Sequence, residues 1–110
     1  MEFRRLAFAS IGIPSSGQNQ LGRALQLQGQ PAEAEPHLAR ARAWIEERQP
    51  NAAGEALDVR IWHGRCLLDL ERVDEARRCL EAVRDLLAGR ADDPRQVTVN
   101  DLLAECNRGR

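Results

Sequence analysis

The chain has 110 residues, of which 43% are apolar and 30% are charged, and this fits one small domain with a modest core. Its 16 basic and 17 acidic residues leave a formal charge of −1, so no long-range field attracts nucleic acid or an anionic membrane. Aromatic residues make up 4% and Tyr is absent, which removes most stacking platforms for single-stranded nucleic acid. We therefore expect neither nucleic acid nor a membrane as a partner.

The three cysteines, Cys66, Cys79 and Cys106, cannot all pair within one chain. Their spacing matches no disulfide framework. Since free thiols persist in a reducing compartment, the sequence predicts a cytoplasmic protein.

Residues 1–17 do not fit the pattern of the rest of the chain. Two arginines precede a short apolar run, but the run is interrupted and no small-residue cleavage site follows, so a secretory signal peptide is not favoured. Phe3, Leu6 and Ala7 share one helical face. This predicts either the second helix of a preceding unit, with the chain starting in mid-array, or unrelated sequence fused in front of an array. The stretch from Pro14 to Gly17 is predicted to be a loop.

Residues 18–49 have the pattern of two helices joined by a tight turn. Leu21 and Leu25 lie on one side of the first helix, which Gly29 ends because glycine takes the left-handed C-terminal conformation without steric cost. Pro31 opens the second helix at a position where its missing N–H is not needed. The buried stripe predicted for the second helix is Ala34, Leu38, Ala41 and Ile45.

Three further helices follow. The longest, predicted over residues 52–70 with Asn51 as its N-cap, is apolar on most sides and should be buried in the middle of the assembly. The next, over about residues 73–88, ends at Gly89, and Asp93 with Pro94 marks the start of a fifth helix that ends near Cys106. The buried residues predicted for the last two helices are Ala76, Leu80, Val83 and Leu87, then Val97, Leu102, Leu103 and Cys106.

The stretch from Leu21 to Arg48 returns in diluted form 42 positions later, from His63 to Arg90. The matched pairs are Gly22 and Gly64, Arg23 and Arg65, Leu25 and Leu67, Glu33 and Glu75, Ala34 and Ala76, Leu38 and Leu80, Arg42 and Arg84, and Arg48 and Arg90. A fixed period in this range indicates an array of helical repeats.

Within each copy a Gly stands three positions before a Leu, a small Ala follows nine positions later, and a large apolar residue follows four after that. This succession resembles the tetratricopeptide repeat (TPR). The 42-residue period and the phrase PAEAEPHL are similar to the kinesin-light-chain type of TPR, which many bacterial regulatory proteins also contain. The resemblance, over about residues 18–107, implies an all-α TPR-like α-solenoid of antiparallel helix-turn-helix repeats. It would hold about two repeats plus a C-terminal capping helix in residues 18–110, as a fragment of a larger bacterial TPR protein.

The resemblance also implies a binding surface, since the first helices of successive TPRs line a concave groove. The groove positions carried over to this chain are Asn19, Arg23 and Gln26 from the first repeat and Ile61, Arg65, Leu68 and Asp69 from the second. Arg23 and Arg65 are repeat equivalents whose forked donors suit the carboxylates of a peptide. We therefore expect a protein-protein interaction module that needs no cofactor. The alternative is a structural or oligomerising fragment whose arginines only solvate the surface.

Two repeats and a cap make a short array, because each repeat buries its face against neighbours and about three are generally needed. If the N-terminal segment does not cover the first repeat, the exposed apolar residues are Leu21, Leu25, Leu27 and Trp44. An uncovered apolar patch favours association with a second copy, and a twofold dimer is the commonest closed form. We therefore expect a homodimer.

An enzyme is the third hypothesis. The chain has no Gly-rich phosphate loop, HExxH, GxSxG or paired CxxC motif, and its two His residues are its candidate bases near neutral pH. His63 with Cys66, at i and i+3, or Glu33 with His37, at i and i+4, have spacings that could hold zinc or manganese. The ion would support a metal-dependent hydrolase of activated esters or phosphoesters, with a site that two chains could share. The competing interpretation of the first pair is a partly buried His beside a core Cys.

Overall fold

Five α-helices make up the residues that the computed structural model describes, 15–50, 53–90 and 92–108, and no strand occurs in these ranges. The helices are α1 (Ser15–Leu27), α2 (Pro31–Arg48), α3 (Gly54–Asp69), α4 (Val73–Leu86) and α5 (Arg95–Arg108). Each helix packs against the next, and α3 also contacts α1 and α5. Short turns make α1–α2 and α3–α4 antiparallel pairs, so the predicted arrangement of two helix pairs and a closing helix is confirmed. None of these helices is long and apolar enough to cross a membrane.

The turn inside each pair has the same hydrogen bonds, 42 residues apart. In the first turn the Gln30 N–H donates to the carbonyl of Leu25 at 2.9 Å, and the second turn repeats this bond between the equivalent residues. The residue before each donor has a positive φ, which is 77° at Gly29 and 64° at Glu71. This is the Schellman ending of a helix. Gly29 therefore ends α1 as predicted, whereas the second turn places a glutamate in the left-handed conformation.

The two helices of each pair cross at a glycine. A Cβ atom added to Gly22 would lie 2.7 Å from Leu38 Cγ, and one added to Gly64 would lie 2.9 Å from Leu80 Cγ. Both distances are too short for a side chain, so each leucine of a second helix packs directly on the backbone of the first. The recurrence of Gly22 as Gly64 therefore reflects a packing requirement.

The core lies between the helix pairs, with α3 at its centre. The stripes predicted for the second helices are all buried: Ala34, Leu38, Ala41 and Ile45, and Ala76, Leu80, Val83 and Leu87. One apolar cluster joins α3, α4 and α5 around Leu57, Leu80 and Val99, and another joins α2 to α3 through Ile45 and Val59. Since burial of a valine, leucine or isoleucine side chain contributes about 1.5–3 kcal/mol, these stripes hold the helices together.

Two helix starts differ from the predictions. α1 begins at Ser15, so the loop predicted from Pro14 to Gly17 is wrong for its last three residues, because packing against α2 outweighs the local turn preference. α3 begins at Gly54, with Ala53 as its N-cap, instead of at residue 52. The helical face predicted near residues 3–7 and the predicted N-cap Asn51 lie outside the described residues.

α5 is capped as predicted but buries a different set of residues. Asp93 Oδ1 accepts the backbone N–H of Arg95 at 2.9 Å and so satisfies a donor of the first turn. The prediction of Val97 as a core residue is wrong, since 64% of its surface is exposed. Val99 is buried instead, because Val99, Leu102, Leu103 and Cys106 lie on one helical face and Val97 lies off it.

Candidate functional site

Helices α1, α3 and α5 lie side by side, because α3 contacts both of the others. We call the side of these helices that carries the clefts described below, within residues 19–26, 58–69 and 95–105, the first-helix face. The predicted groove residues all fall within these ranges: Asn19, Arg23, Gln26, Ile61, Arg65, Leu68 and Asp69.

Two contacts join α1 to α3 on this face. Gln26 Nε2 donates a hydrogen bond to Asp69 Oδ2. Arg23 lies over the Trp62 ring, with its Cζ 4.9 Å from the ring centroid. An arginine over a tryptophan contributes about 0.5–1 kcal/mol at an exposed site, so this contact holds the ring in place. The fold thus brings groove positions of the two repeats together.

Two of the groove positions on α1 are buried. Asn19 and Gln26 are each 7% exposed. Asn19 Oδ1 and Gln26 Oε1 have no hydrogen-bond partner among the described residues. A buried acceptor without a donor costs about 1–3 kcal/mol, so neither oxygen is stabilised by a hydrogen bond within the described residues.

A cleft of about 230 Å³, the apolar cleft, opens between α3 and α5. It is lined by Asp58, Ile61, Trp62, Arg65, Arg95, Thr98 and Leu102. Arg95 closes one end, since its Nε lies 2.6 Å from Asp58 Oδ1 and its Nη1 lies 3.0 Å from Asp93 Oδ2. Hydrogen bonds from the backbone N–H and the guanidinium of Arg95 lower the pKa of Asp93, so this end of the cleft is held by ionised groups. The rest of the cleft wall includes the side chains of Ile61, Trp62 and Leu102.

A second cleft of about 300 Å³, the acid-lined cleft, continues along the same two helices. It is lined by Arg65, Asp69, Thr98, Asp101, Leu102 and Glu105. Arg65, Thr98 and Leu102 line both clefts, so the two hollows adjoin. Arg65, Asp101 and Glu105 are exposed, and none of them forms an ion pair with another residue in the described ranges. The face therefore combines an apolar hollow with charges that have no partner.

The predicted groove residues of α3 divide into two groups. Arg65 and Asp69 are exposed and line the clefts. Ile61 is only 8% exposed, and Leu68 packs against the apolar core and lines neither cleft. These two residues form part of the wall and of the core beneath it.

The prediction missed Trp62 and the contribution of α5, which consists of Thr98, Asp101, Leu102 and Glu105. The sequence places α5 where the first helix of a third repeat belongs, as a closing cap, but the predicted groove included none of its residues. The 42-residue offset could have revealed the role of α5. It makes Val99 the equivalent of Leu57 and Leu103 the equivalent of Ile61, and all four residues are buried.

The opposite side of α3 carries a polar cluster at the junction with α2 and α4. Its members, which we call the His63 cluster, are Glu35, Arg42, Glu46, Arg60, His63 and Cys79. His63 Nε2 lies 3.0 Å from Glu35 Oε2, and His63 Nδ1 lies 3.2 Å from Arg42 Nη1. Since a guanidinium only donates and a carboxylate only accepts, the ring proton is on Nε2 and Nδ1 accepts. Burial lowers the pKa of His63, which agrees with this neutral form.

Glu46 joins the two arginines of the His63 cluster. Its Oε2 accepts hydrogen bonds from Arg42 Nε and from Arg60 Nε, each at 2.9 Å. Burial acts to raise the pKa of Glu46, but the hydrogen bonds from the two arginines together lower it. The Cys79 thiol donates to the Arg60 carbonyl at 3.2 Å. The cluster therefore links three helices by polar contacts whose donors and acceptors are already paired.

The structure does not bring the predicted metal ligands together. Both ring nitrogens of His63 are engaged, and the Cys66 thiol points to another contact, donating to the Pro31 carbonyl at 3.1 Å. His37 Nδ1 donates to the side-chain oxygen of Gln18 at 2.8 Å, and Glu33 is exposed. Within the described residues no three His, Cys, Asp or Glu side chains are grouped so that they could hold an ion.

No protein-family model matches the sequence, and no curated protein matches it either. Among solved structures, the chain is similar to a Podosopora anserina putative kinesin light chain with nearly identical TPR-like repeats. The TM-score is 0.77 at 24% identity, over 89% of this chain and 48% of that one. The chain has a TPR-like repeat fold. A substituted form of the same protein gives a TM-score of 0.75 at 24% identity, over 84% of this chain and 44% of that one.

The chain spans about half the length of these two TPR-like structures. In TPR-like terms α1–α2 and α3–α4 are two repeats, and α5 stands where the first helix of a third repeat belongs. The first-helix face is therefore a continuous surface of successive first helices.

Proposed function

We propose that the chain is a protein-interaction module that holds an extended peptide segment of a partner protein along the first-helix face. The observation that carries this proposal is the pair of adjoining clefts between α3 and α5, which share Arg65, Thr98 and Leu102. Peptide recognition commonly combines pockets for particular side chains with polar groups that fix the backbone. The two clefts offer both, and a TPR-like array is a scaffold suited to this role.

The two repeat-equivalent arginines have different roles in this proposal. Arg65 is exposed at the junction of the clefts without an ion-pair partner among the described residues, so it is the group that contacts the peptide. Arg23 lies on Trp62 and positions the ring that lines the apolar cleft. The partner is a protein, and the binding needs no cofactor.

The test is selection of peptides from a randomised library on the full chain, followed by affinity measurements with a variant. Thr98→Arg fills the junction of both clefts from an exposed position of α5, so affinity should fall about tenfold or more, which corresponds to roughly 1.4 kcal/mol. Ala82→Arg is the control, because it adds the same side chain at an exposed position of α4. Unchanged binding by Thr98→Arg, or a library without binders, would contradict the proposal.

We also propose that two copies associate through the outer side of the first repeat. Leu27 is 71% exposed and Trp44 is 41% exposed, with Arg48 Cζ 4.2 Å from the Trp44 ring centroid. Leu21 and Leu25 are partly buried, so the exposed part of the predicted patch is Leu27 and Trp44. Such side chains favour contact with a second copy where they form one continuous apolar surface.

Light scattering across a dilution series tests the association. The unaltered chain should have the mass of a dimer at high concentration, and Leu27→Asp should shift it to the monomer. Val97→Asp is the matched control, because Val97 is 64% exposed at the other end of the molecule. A monomer mass throughout the series would show that the proposed dimer does not form.

A further inference from the structure

The acid-lined cleft holds an excess of negative charge. Three carboxylates, those of Asp69, Asp101 and Glu105, stand against one guanidinium, that of Arg65. Asp101 and Glu105 are one turn apart on α5, where two like charges destabilise a helix. Since neither is paired with another described residue, their repulsion is not compensated within this part of the chain.

A second feature lies on α1, behind Asp69 and outside the lining of the acid-lined cleft. The Gln26 amide donates through Nε2 to Asp69, which lines the acid-lined cleft, and its Oε1 is buried without a partner. Gln26 is only 7% exposed, so bulk water does not satisfy this oxygen. Exchanging the amide oxygen and nitrogen would set an oxygen against the carboxylate, so the orientation is fixed. Of the three carboxylates, Asp69 therefore accepts one hydrogen bond from the chain, and Asp101 and Glu105 accept none from the described residues.

The spacing of the two clefts matches that of a bound strand. The apolar cleft is lined by residues 58–65 of α3 and 95–102 of α5, and the acid-lined cleft by residues 65–69 and 98–105. From the first cleft to the second, the residue numbers of the lining increase on both helices. The second cleft therefore lies about one helical turn, roughly 5–7 Å, beyond the first. Alternate side chains of an extended peptide are about 6.6 Å apart. Side chains i and i+2 of one strand would therefore enter the two clefts.

We propose that the partner segment carries a basic side chain two positions from an apolar one, with the basic group in the acid-lined cleft and the apolar group in the apolar cleft. Arginine fits best, since its guanidinium has five donors and no acceptor and suits carboxylates. This inference rests on the proposed peptide binding and adds the chemistry of the peptide. Arg65, at the junction, faces the backbone carbonyls of the same strand.

The experiment selects peptides from a second library with the full chain as bait. Each peptide has a fixed leucine and is randomised at the positions two residues before and two residues after it. Arginine and lysine should be enriched over aspartate and glutamate at one of these positions by about fivefold or more, since exposed ion pairs contribute modestly to affinity. The double variant Asp101→Lys with Glu105→Lys should reverse the preference, and Asp101→Asn with Glu105→Gln should abolish it.

The matched control is Glu47→Lys with Asp85→Lys, which changes the net charge equally at exposed positions of α2 and α4 and should keep the preference for basic residues. Circular dichroism checks that each variant is helical. If peptides bind and Thr98→Arg removes binding, but acidic residues are enriched or no charge preference exists, this inference is overturned and the proposed function stands. If no peptide binds, both fall.

Discussion

At the scale of single residues, burial protects every thiol of the chain. Cys66 and Cys106 are fully buried and Cys79 is 4% exposed. Burial raises the pKa of Cys66 to about 11, and it also raises the pKa of Cys79 and of Cys106. Because the thiolate is the reactive form, we expect a disulfide reagent to label none of these cysteines in the native chain at pH 8. All of them should react in guanidinium chloride, and rapid labelling of the native chain would contradict this expectation.

His63 makes the stability of the chain depend on pH. Burial lowers the pKa of His63, Arg42 and Arg72 lower it further, and Glu35 opposes them. Arg78 and Glu75 of α4 line a third cleft, of about 250 Å³, together with His63. The unfolded chain, whose His pKa is about 6.5, therefore binds a proton more readily than the folded chain. The contribution of neutral His63 to the free energy of unfolding should be complete above about pH 6.5 and should decrease as the pH drops below that value. Urea titrations at pH 7.5 and pH 5.5 measure the difference.

The variant His63→Gln separates this histidine from the other one. Glutamine can still accept from Arg42 and donate to Glu35 but does not titrate. Burial also lowers the pKa of His37, which is beside Arg40, so His37→Gln serves as the comparison. The pH dependence should shrink more in His63→Gln than in His37→Gln. An unchanged pH dependence in His63→Gln would show that the His63 cluster does not govern it.

At the scale of helices, the two turns of the repeats have the same shape and different residues. Gly29 and Glu71 both have positive φ, and the left-handed conformation costs an L-residue about 1–2 kcal/mol. We expect Glu71→Gly to raise the free energy of unfolding by about 0.5–1 kcal/mol, because the greater freedom of glycine in the unfolded chain offsets part of the gain. Gly29→Ala should lower it by a similar amount.

Thermal unfolding measures both changes. Gly89→Ala is the control, since Gly89 has no positive φ and a Cβ atom there would meet nothing within 4 Å. If Glu71→Gly lowers the melting temperature, the glutamate side chain makes a stabilising contact that outweighs the strain.

The 42-residue offset predicted the helix pairs and their buried stripes for a physical reason. Helices can cross closely only where a small residue meets a large one, so Gly22 with Leu38 had to recur as Gly64 with Leu80. Apolar periodicity did not reveal the inner side of α1. There the buried residues include Asn19 and Gln26, and polar side chains carry no such signal.

At the scale of the whole molecule, the first-helix face could be predicted only in part. The positions of Arg65 and Asp69 followed from the resemblance to TPR arrays. The hollows arise where α3 meets α5, and Arg65 and Asp101 come together there only through the packing of these two helices. The rotation of α5 about its own axis determines which of its residues line the clefts, and this rotation buries Val99 and exposes Val97.

Amide hydrogen exchange of the chain with a selected peptide tests the central claim most directly. A peptide on the first-helix face should slow exchange in residues 58–69 of α3 and 95–105 of α5, where the peptide orders the helices that line the clefts. Exchange in the middle of α2 and of α4 should change less. Protection confined to α2 and α4 would place the peptide on the opposite side of the molecule and would contradict the account.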